Sequence, residues 1–204
     1  MRLALFALAC AACSGRAPTN HVVPANRDAT PTPAPVETAA APAAPLGPSI
    51  YDLPVHLTDS QGRAIGLDVA RGAPVLVTMF YASCSIACPL LVSEVGQVLA
   101  ELPEPARSHT RVLLVSFDAE RDTPERLAEL VRERKLDARW IVAAAPDADA
   151  RALAAVLGFR YRKVANGDFA HGSTIVALDA EGRPIARTDA LGQRAALVRA
   201  LSSR

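Results

Sequence analysis

The feature that most constrains this chain is the stretch Tyr81-Ala82-Ser83-Cys84-Ser85-Ile86-Ala87-Cys88-Pro89. Before it lies Pro74–Phe80 (PVLVTMF), a continuous apolar run of the kind that forms a strand buried on both faces. After it, apolar residues recur at helical spacing from Leu90 to Leu102. Two cysteines with three residues between them therefore sit where a strand hands over to a helix. A helix start offers unpaired N–H groups and the positive end of the macrodipole, and both favour thiolate over thiol. If the turn is helical, the spacing puts both sulfurs on one face. Such a pair is either a redox couple or half of a metal site.

The rest of the chain supplies the frame. Tyr51–Thr58 and Arg63–Leu67 flank the turn Asp59-Ser60-Gln61-Gly62 and read as an N-terminal β-hairpin. Arg111–Phe117 is a second buried strand. Asp122 is the expected N-cap of a helix reaching about Leu136, with Pro124 in its first turn. Arg139–Ala143 reads as a strand and Asp147–Leu157 as a helix stopped by Gly158. Phe159–Val164 is extended, and Asn166-Gly167-Asp168 is a loop. Ser173–Asp179 and Pro184–Thr188 form a closing hairpin, followed by a helix capped near Asp189 and ending about Leu201. Strands joined by helices and closed by an antiparallel hairpin predict a thioredoxin-like α/β fold, a central mixed sheet flanked by helices.

Composition adds limits. Half of the residues are hydrophobic, enough for a core, and the net charge of +1 gives no field to attract nucleic acid. No phosphate loop, Ser-His-Asp order or paired-carboxylate pattern is present. Leu3–Ala12 behind Arg2 is too short to span a bilayer, which takes ~20 residues in a helix. Its charge, short apolar region and small residues instead predict a secretory signal. Small residues ahead of a cysteine resemble a bacterial lipoprotein signal, with Cys13 the expected lipidated residue and Cys10 the competitor. Residues 14–48 hold eight of the sixteen prolines and almost no large apolar side chain, as a polyproline-rich spacer does. The expected organisation is thus a signal over residues 1–13, a linker over 14–48 and a folded domain over 49–204. The expected location is the bacterial envelope, periplasmic and lipid-tethered.

The site departs from a thioredoxin pair in two ways. Cys84-x3-Cys88 has one residue more than Cys-x-x-Cys. Where a proline loop would stand, the sequence is Asp168-Phe169-Ala170-His171-Gly172. Two thiolates and an imidazole make a soft three-donor set suited to Cu(I) and Cu(II), whereas zinc takes a fourth ligand. Asp118 and Asp168 are candidates for that fourth position. His21, His56 and His109 read as surface residues, and Trp140 and Tyr161 as packing.

From Tyr51 to Leu201 the chain resembles the Sco/SenC family of copper chaperones. The resemblance rests on Phe80-Tyr81-Ala82-Ser83-Cys84-x3-Cys88-Pro89 and on Val115-Ser116-Phe117-Asp118-Ala119-Glu120-Arg121-Asp122-Thr123-Pro124-Glu125. Tyr161-Arg162-Lys163-Val164 and His171 before Ser173-Thr174-Ile175 complete it. It implies copper held by Cys84, Cys88 and His171 and delivered to the binuclear centre of cytochrome c oxidase or to another periplasmic cuproprotein. Because the cysteines must be reduced before they bind copper, an upstream thiol reductant or copper donor is expected, and in an oxidising compartment a transient Cys84–Cys88 disulfide. Some members of the family reduce their partner's cysteines, so a thiol–disulfide oxidoreductase is the alternative. A peroxiredoxin-type peroxidase fits less well, because no Thr-x-x-Cys context is present. Two departures stand out: Ser85-Ile86-Ala87 replaces the usual proline and aspartate, and His171 lies between Ala170 and Gly172 rather than aspartate and serine.

Overall fold

The computed structural model describes residues 45–204, apart from 85 and 86. The expected signal segment with Cys10 and Cys13, and the expected linker up to residue 44, lie outside the described residues.

The element order is β1 (His56–Asp59), β2 (Ala64–Gly66), β3 (Val75–Phe80), α1 (Ala87–Glu101), α2 (Ala106–His109), β4 (Arg111–Ser116), α3 (Pro124–Glu133) and β5 (Trp140–Ala144). It continues with α4 (Asp147–Leu157), β6 (Tyr161–Lys163), β7 (Phe169–His171), β8 (Ile175–Leu178), β9 (Pro184–Thr188) and α5 (Ala195–Ser202). Seven strands form one sheet in the order β2-β1-β5-β4-β3-β8-β9. β3, β4 and β5 are parallel, and β1, β2, β8 and β9 add antiparallel edges. This is the expected mixed sheet with helices on both faces.

β3 can lie inside the sheet, between β4 and β8, because every one of its residues is apolar or hydrogen-bonded. All six are buried, and the hydroxyl of Thr78 donates to Thr174 O at 2.7 Å. Leu76 packs with Leu91, Val95, Val98 and Leu102 of the α1 segment and Leu197 of α5. Val75, Val77 and Met79 meet Leu127 of α3 and Leu153 of α4 in a second cluster. The alternation of a strand thus feeds two cores, one on each face.

Both hairpins of the sheet use the same turn. Asp59 Oδ1 accepts the N–H groups of Gln61 and Arg63, and Asp179 Oδ1 those of Glu181 and Arg183. Gly62 and Gly182 supply the left-handed residue each turn requires, at φ 77° and 80°.

Several sequence expectations shift. Ile50–Asp52 is a short 3-10 helix, so the first strand begins only at His56. α1 begins at Ala87, which places Cys88 in its first turn. The N-cap of α3 is Thr123, whose side chain accepts from Arg126 N; Asp122 is engaged elsewhere. α5 starts at Ala195, and Asp189 instead binds Arg187 and Thr174. Gly158 does terminate α4, in the left-handed conformation.

Candidate metal centre

The carboxyl ends of parallel strands are where open α/β sheets place their ligands, and the cysteine loop lies there. β3 ends at Phe80 and the chain turns through Tyr81–Cys84 into α1. The Tyr81 carbonyl ties the turn together: it accepts the Cys84 backbone N–H at 3.2 Å and the Cys88 thiol at 3.1 Å. Cys84 is partly exposed and Cys88 buried, and both are thiols.

His171 arrives from the other side. It ends β7, which pairs with β6 in a separate two-stranded sheet, Tyr161 opposite His171 and Lys163 opposite Phe169. Its Nδ1 lies 2.8 Å from Gly172 O. A carbonyl can only accept, so Nδ1 carries the proton, and in the neutral ring Nε2 bears the lone pair. That Nε2 is buried and has no hydrogen-bond partner among the described residues. One donor atom from each of Cys84, Cys88 and His171 falls within 4.8 Å of the others. A buried imidazole nitrogen with no hydrogen-bond partner among the described residues, beside two sulfurs, has the donor chemistry to bind a soft metal ion.

Rings hold the imidazole in place. Tyr81 meets it edge-on at 5.6 Å between centroids, and Phe159 stacks on it at 6.1 Å. Phe117 packs at 5.8 Å from His171 and stacks on Tyr161 at 4.3 Å. Tyr161 therefore is packing, as its sequence suggested, but packing around the site.

Asp118 and Asp168, the candidates for a fourth ligand, do not join the group. Asp118 is buried and paired with Arg121, and Asp168 lies 3.6 Å from the same guanidinium. His56 is exposed beside Asp149, and His109 is exposed on α2.

The structure also adds a residue that the sequence presented only as a helix cap. Asp122 is 1% exposed. Its Oδ2 accepts the Ala82 N–H at 2.7 Å and the Ser116 hydroxyl, whose oxygen in turn accepts the Asp118 N–H at 3.0 Å. A carboxylate from the loop after β4 thus pins the loop after β3. Burial raises its pKa, against those hydrogen bonds. A sequence signal did exist for the aromatic wall: Phe159 and Tyr161, then Phe169 and His171, alternate with period two and share one face of a hairpin.

One electrostatic expectation is reversed. A helix start contributes about 0.3–1 kcal/mol toward an anion, but burial dominates at Cys88 and pushes its thiol up to about 12. The proton stays on sulfur until something more electrophilic displaces it.

Comparison with known proteins agrees with this fold. A Bacillus anthracis SCO1/SenC family lipoprotein superposes with a TM-score of 0.67 at 18% identity, covering 79% of this chain and 97% of that one. Bradyrhizobium japonicum ScoI, solved with copper bound, gives 0.59 at 23% identity, covering 80% and 98%. In sequence, a Stutzerimonas stutzeri protein described as a candidate copper-binding protein is 25% identical over 73 residues, 36% of this chain. The match spans about a third of that relative's length, also 36%. The SCO1/SenC family model matches residues 44–204. The chain belongs to the SCO1/SenC family.

Proposed function

We propose that this protein is a copper metallochaperone. Cys84, Cys88 and His171 hold the ion and pass it to the copper centre of a respiratory oxidase or to another periplasmic cuproprotein. The observation that carries this reading is the buried Nε2 of His171, unpartnered among the described residues, beside the two cysteine sulfurs. Two thiolates suit Cu(I), and the added imidazole suits Cu(II), so one site serves both oxidation states. Delivery proceeds by ligand exchange. Cys84, the more exposed sulfur, is the one an incoming thiolate or imidazole reaches first, while Cys88 and His171 retain the ion behind it.

Loading needs both sulfurs reduced. A Cys84–Cys88 disulfide must first receive two electrons and two protons from a thiol reductant, which becomes a disulfide in turn. The same sulfurs support a second reading, reduction of a partner's cysteines. It is favoured by the pairing of an accessible Cys84 with a buried Cys88, the arrangement of an attacking and a resolving thiol. A lipid on Cys13, or on Cys10, would tether the domain through its proline-rich linker to the envelope membrane.

Comparison of His171→Ala with Cys84→Ser separates the readings. The chaperone reading expects His171→Ala to lose Cu(II) binding while thiol–disulfide exchange persists. Unchanged Cu(I) and Cu(II) binding in His171→Ala would sink the three-ligand site. Activity abolished only by cysteine changes, in protein that takes up no copper on reconstitution, would establish the reductase. Globomycin sensitivity and palmitate labelling test the tether; label persisting in a double Cys10/Cys13 variant would exclude it.

A further inference from the structure

The hairpin that carries His171 is not part of the seven-stranded sheet. The ladder of β3 picks up the chain again only at Thr174 and Ile175, so the orientation of the hairpin itself is left to side chains. Phe117 and Tyr81 join the three segments that meet at the site through ring contacts, and one charged side chain also reaches all three. Arg121, in the loop after β4, pairs with the buried carboxylate of Asp118 in its own loop. On the hairpin it reaches Asp168 at 3.6 Å. Its guanidinium also lies 5.6 Å from the ring centroid of Tyr81, in the cysteine loop, and 5.6 Å from that of Phe169, two positions before His171.

We infer that Arg121 is the positioning residue that sets the separation between the cysteine pair and His171, and so decides whether copper meets two ligands or three. The inference rests on the three-ligand reading above. Arginine suits the task because its planar fork stacks on rings and pairs with carboxylates at once, which a lysine ammonium cannot do. Both Arg121 and Asp168 are partly exposed, at 39% and 49% of their side chains, so this pair contributes orientation more than stability. The consequence is selective. Two thiolates satisfy Cu(I), whereas Cu(II) needs the nitrogen. Loosening Arg121 weakens Cu(II) binding and leaves Cu(I) binding in place.

Three variants of the full-length reduced protein test this. Arg121→Met keeps the length of the stem and removes charge and fork. Arg121→Lys keeps only the charge. Asp168→Asn removes one ionic partner at an exposed position, so it reports even where Arg121→Met fails to fold. Each is titrated with Cu(I) and with Cu(II), and the Cu(II) form is read by EPR for nitrogen hyperfine splitting. Arg121→Met is expected to weaken Cu(II) by about 10–100-fold, the scale for losing a group that supports a metal ligand. The nitrogen splitting should fade while Cu(I) affinity holds. Asp168→Asn should shift in the same direction by less, and Arg121→Lys should restore the site only in part. Wild-type Cu(II) affinity and splitting in both Arg121→Met and Asp168→Asn would overturn the inference. Absence of nitrogen splitting in the unmodified protein would instead remove the three-ligand reading, and this inference with it.

Discussion

Cys88 donates its thiol proton to the carbonyl oxygen of Tyr81 at 3.1 Å, the same oxygen that accepts the Cys84 N–H. The resting site is therefore a protonated, hydrogen-bonded one, and copper must displace a proton to occupy it. Burial keeps that proton on Cys88 up to about pH 12. Each thiol proton released on binding makes apparent Cu(I) affinity rise about tenfold per pH unit. Competition titrations between pH 6 and 8, corrected for the competitor's own protonation, should show that rise. An affinity independent of pH would mean that Cys88 is not a ligand.

The same group fixes the sign of stability against pH in the copper-free protein. Its folded pKa lies above the ordinary thiol value of 9.0. Its contribution to stability is whole below pH 9 and is lost as pH rises toward 12. Denaturant midpoints measured from pH 8 upward should fall for the reduced protein and fall less for Cys88→Ser.

Asp122 gives the cysteine loop its foundation. Replacing it with alanine leaves two buried donors, the Ala82 N–H and the Ser116 hydroxyl, without their acceptor. At about 1–3 kcal/mol per buried unsatisfied group, Asp122→Ala should destabilise the protein by roughly 2–6 kcal/mol. Asp122→Asn retains one acceptor oxygen and sheds a buried charge, so it should cost less. Equal unfolding free energies for Asp122→Ala and the parent would show that the loop is held by other contacts.

The paired turns offer an internal control. Gly62→Ala meets nothing within 4 Å and suffers only its left-handed backbone, about 1–2 kcal/mol. Gly182→Ala suffers the same and also places its Cβ 2.5 Å from the ring of Tyr51, which adds about 1–3 kcal/mol. Thermal unfolding should rank Gly182→Ala below Gly62→Ala. The reverse order would refute the packing of Tyr51 on that turn.

What the sequence revealed follows from where each signal originates. β3 and β4 are legible because strands buried on both faces must be apolar throughout, and PVLVTMF and RVLLVSF are nearly so. Gly158 is legible because the left-handed stop is a local requirement. The cysteine pair and His171 stood out by chemistry, yet the strand carrying His171 read as a loop. Three residues paired only to one another leave too short a pattern. Asp122 was misread because Asp-Thr-Pro offers two capping residues in succession; Thr123 takes the cap, and the carboxylate turns inward to a loop forty positions earlier. Arg121 carries no signal of its own in the sequence, since its partners Asp118, Tyr81, Asp168 and Phe169 converge only once the strands are assembled.

The central claim is that Cys84, Cys88 and His171 together hold copper, and X-ray absorption of the Cu(II)-loaded protein, its thiols reduced before loading, tests it most directly. The account predicts two sulfur scatterers and one imidazole nitrogen at the metal, with the nitrogen contribution lost in His171→Ala. A shell of sulfur alone, or one unchanged by that substitution, would contradict it.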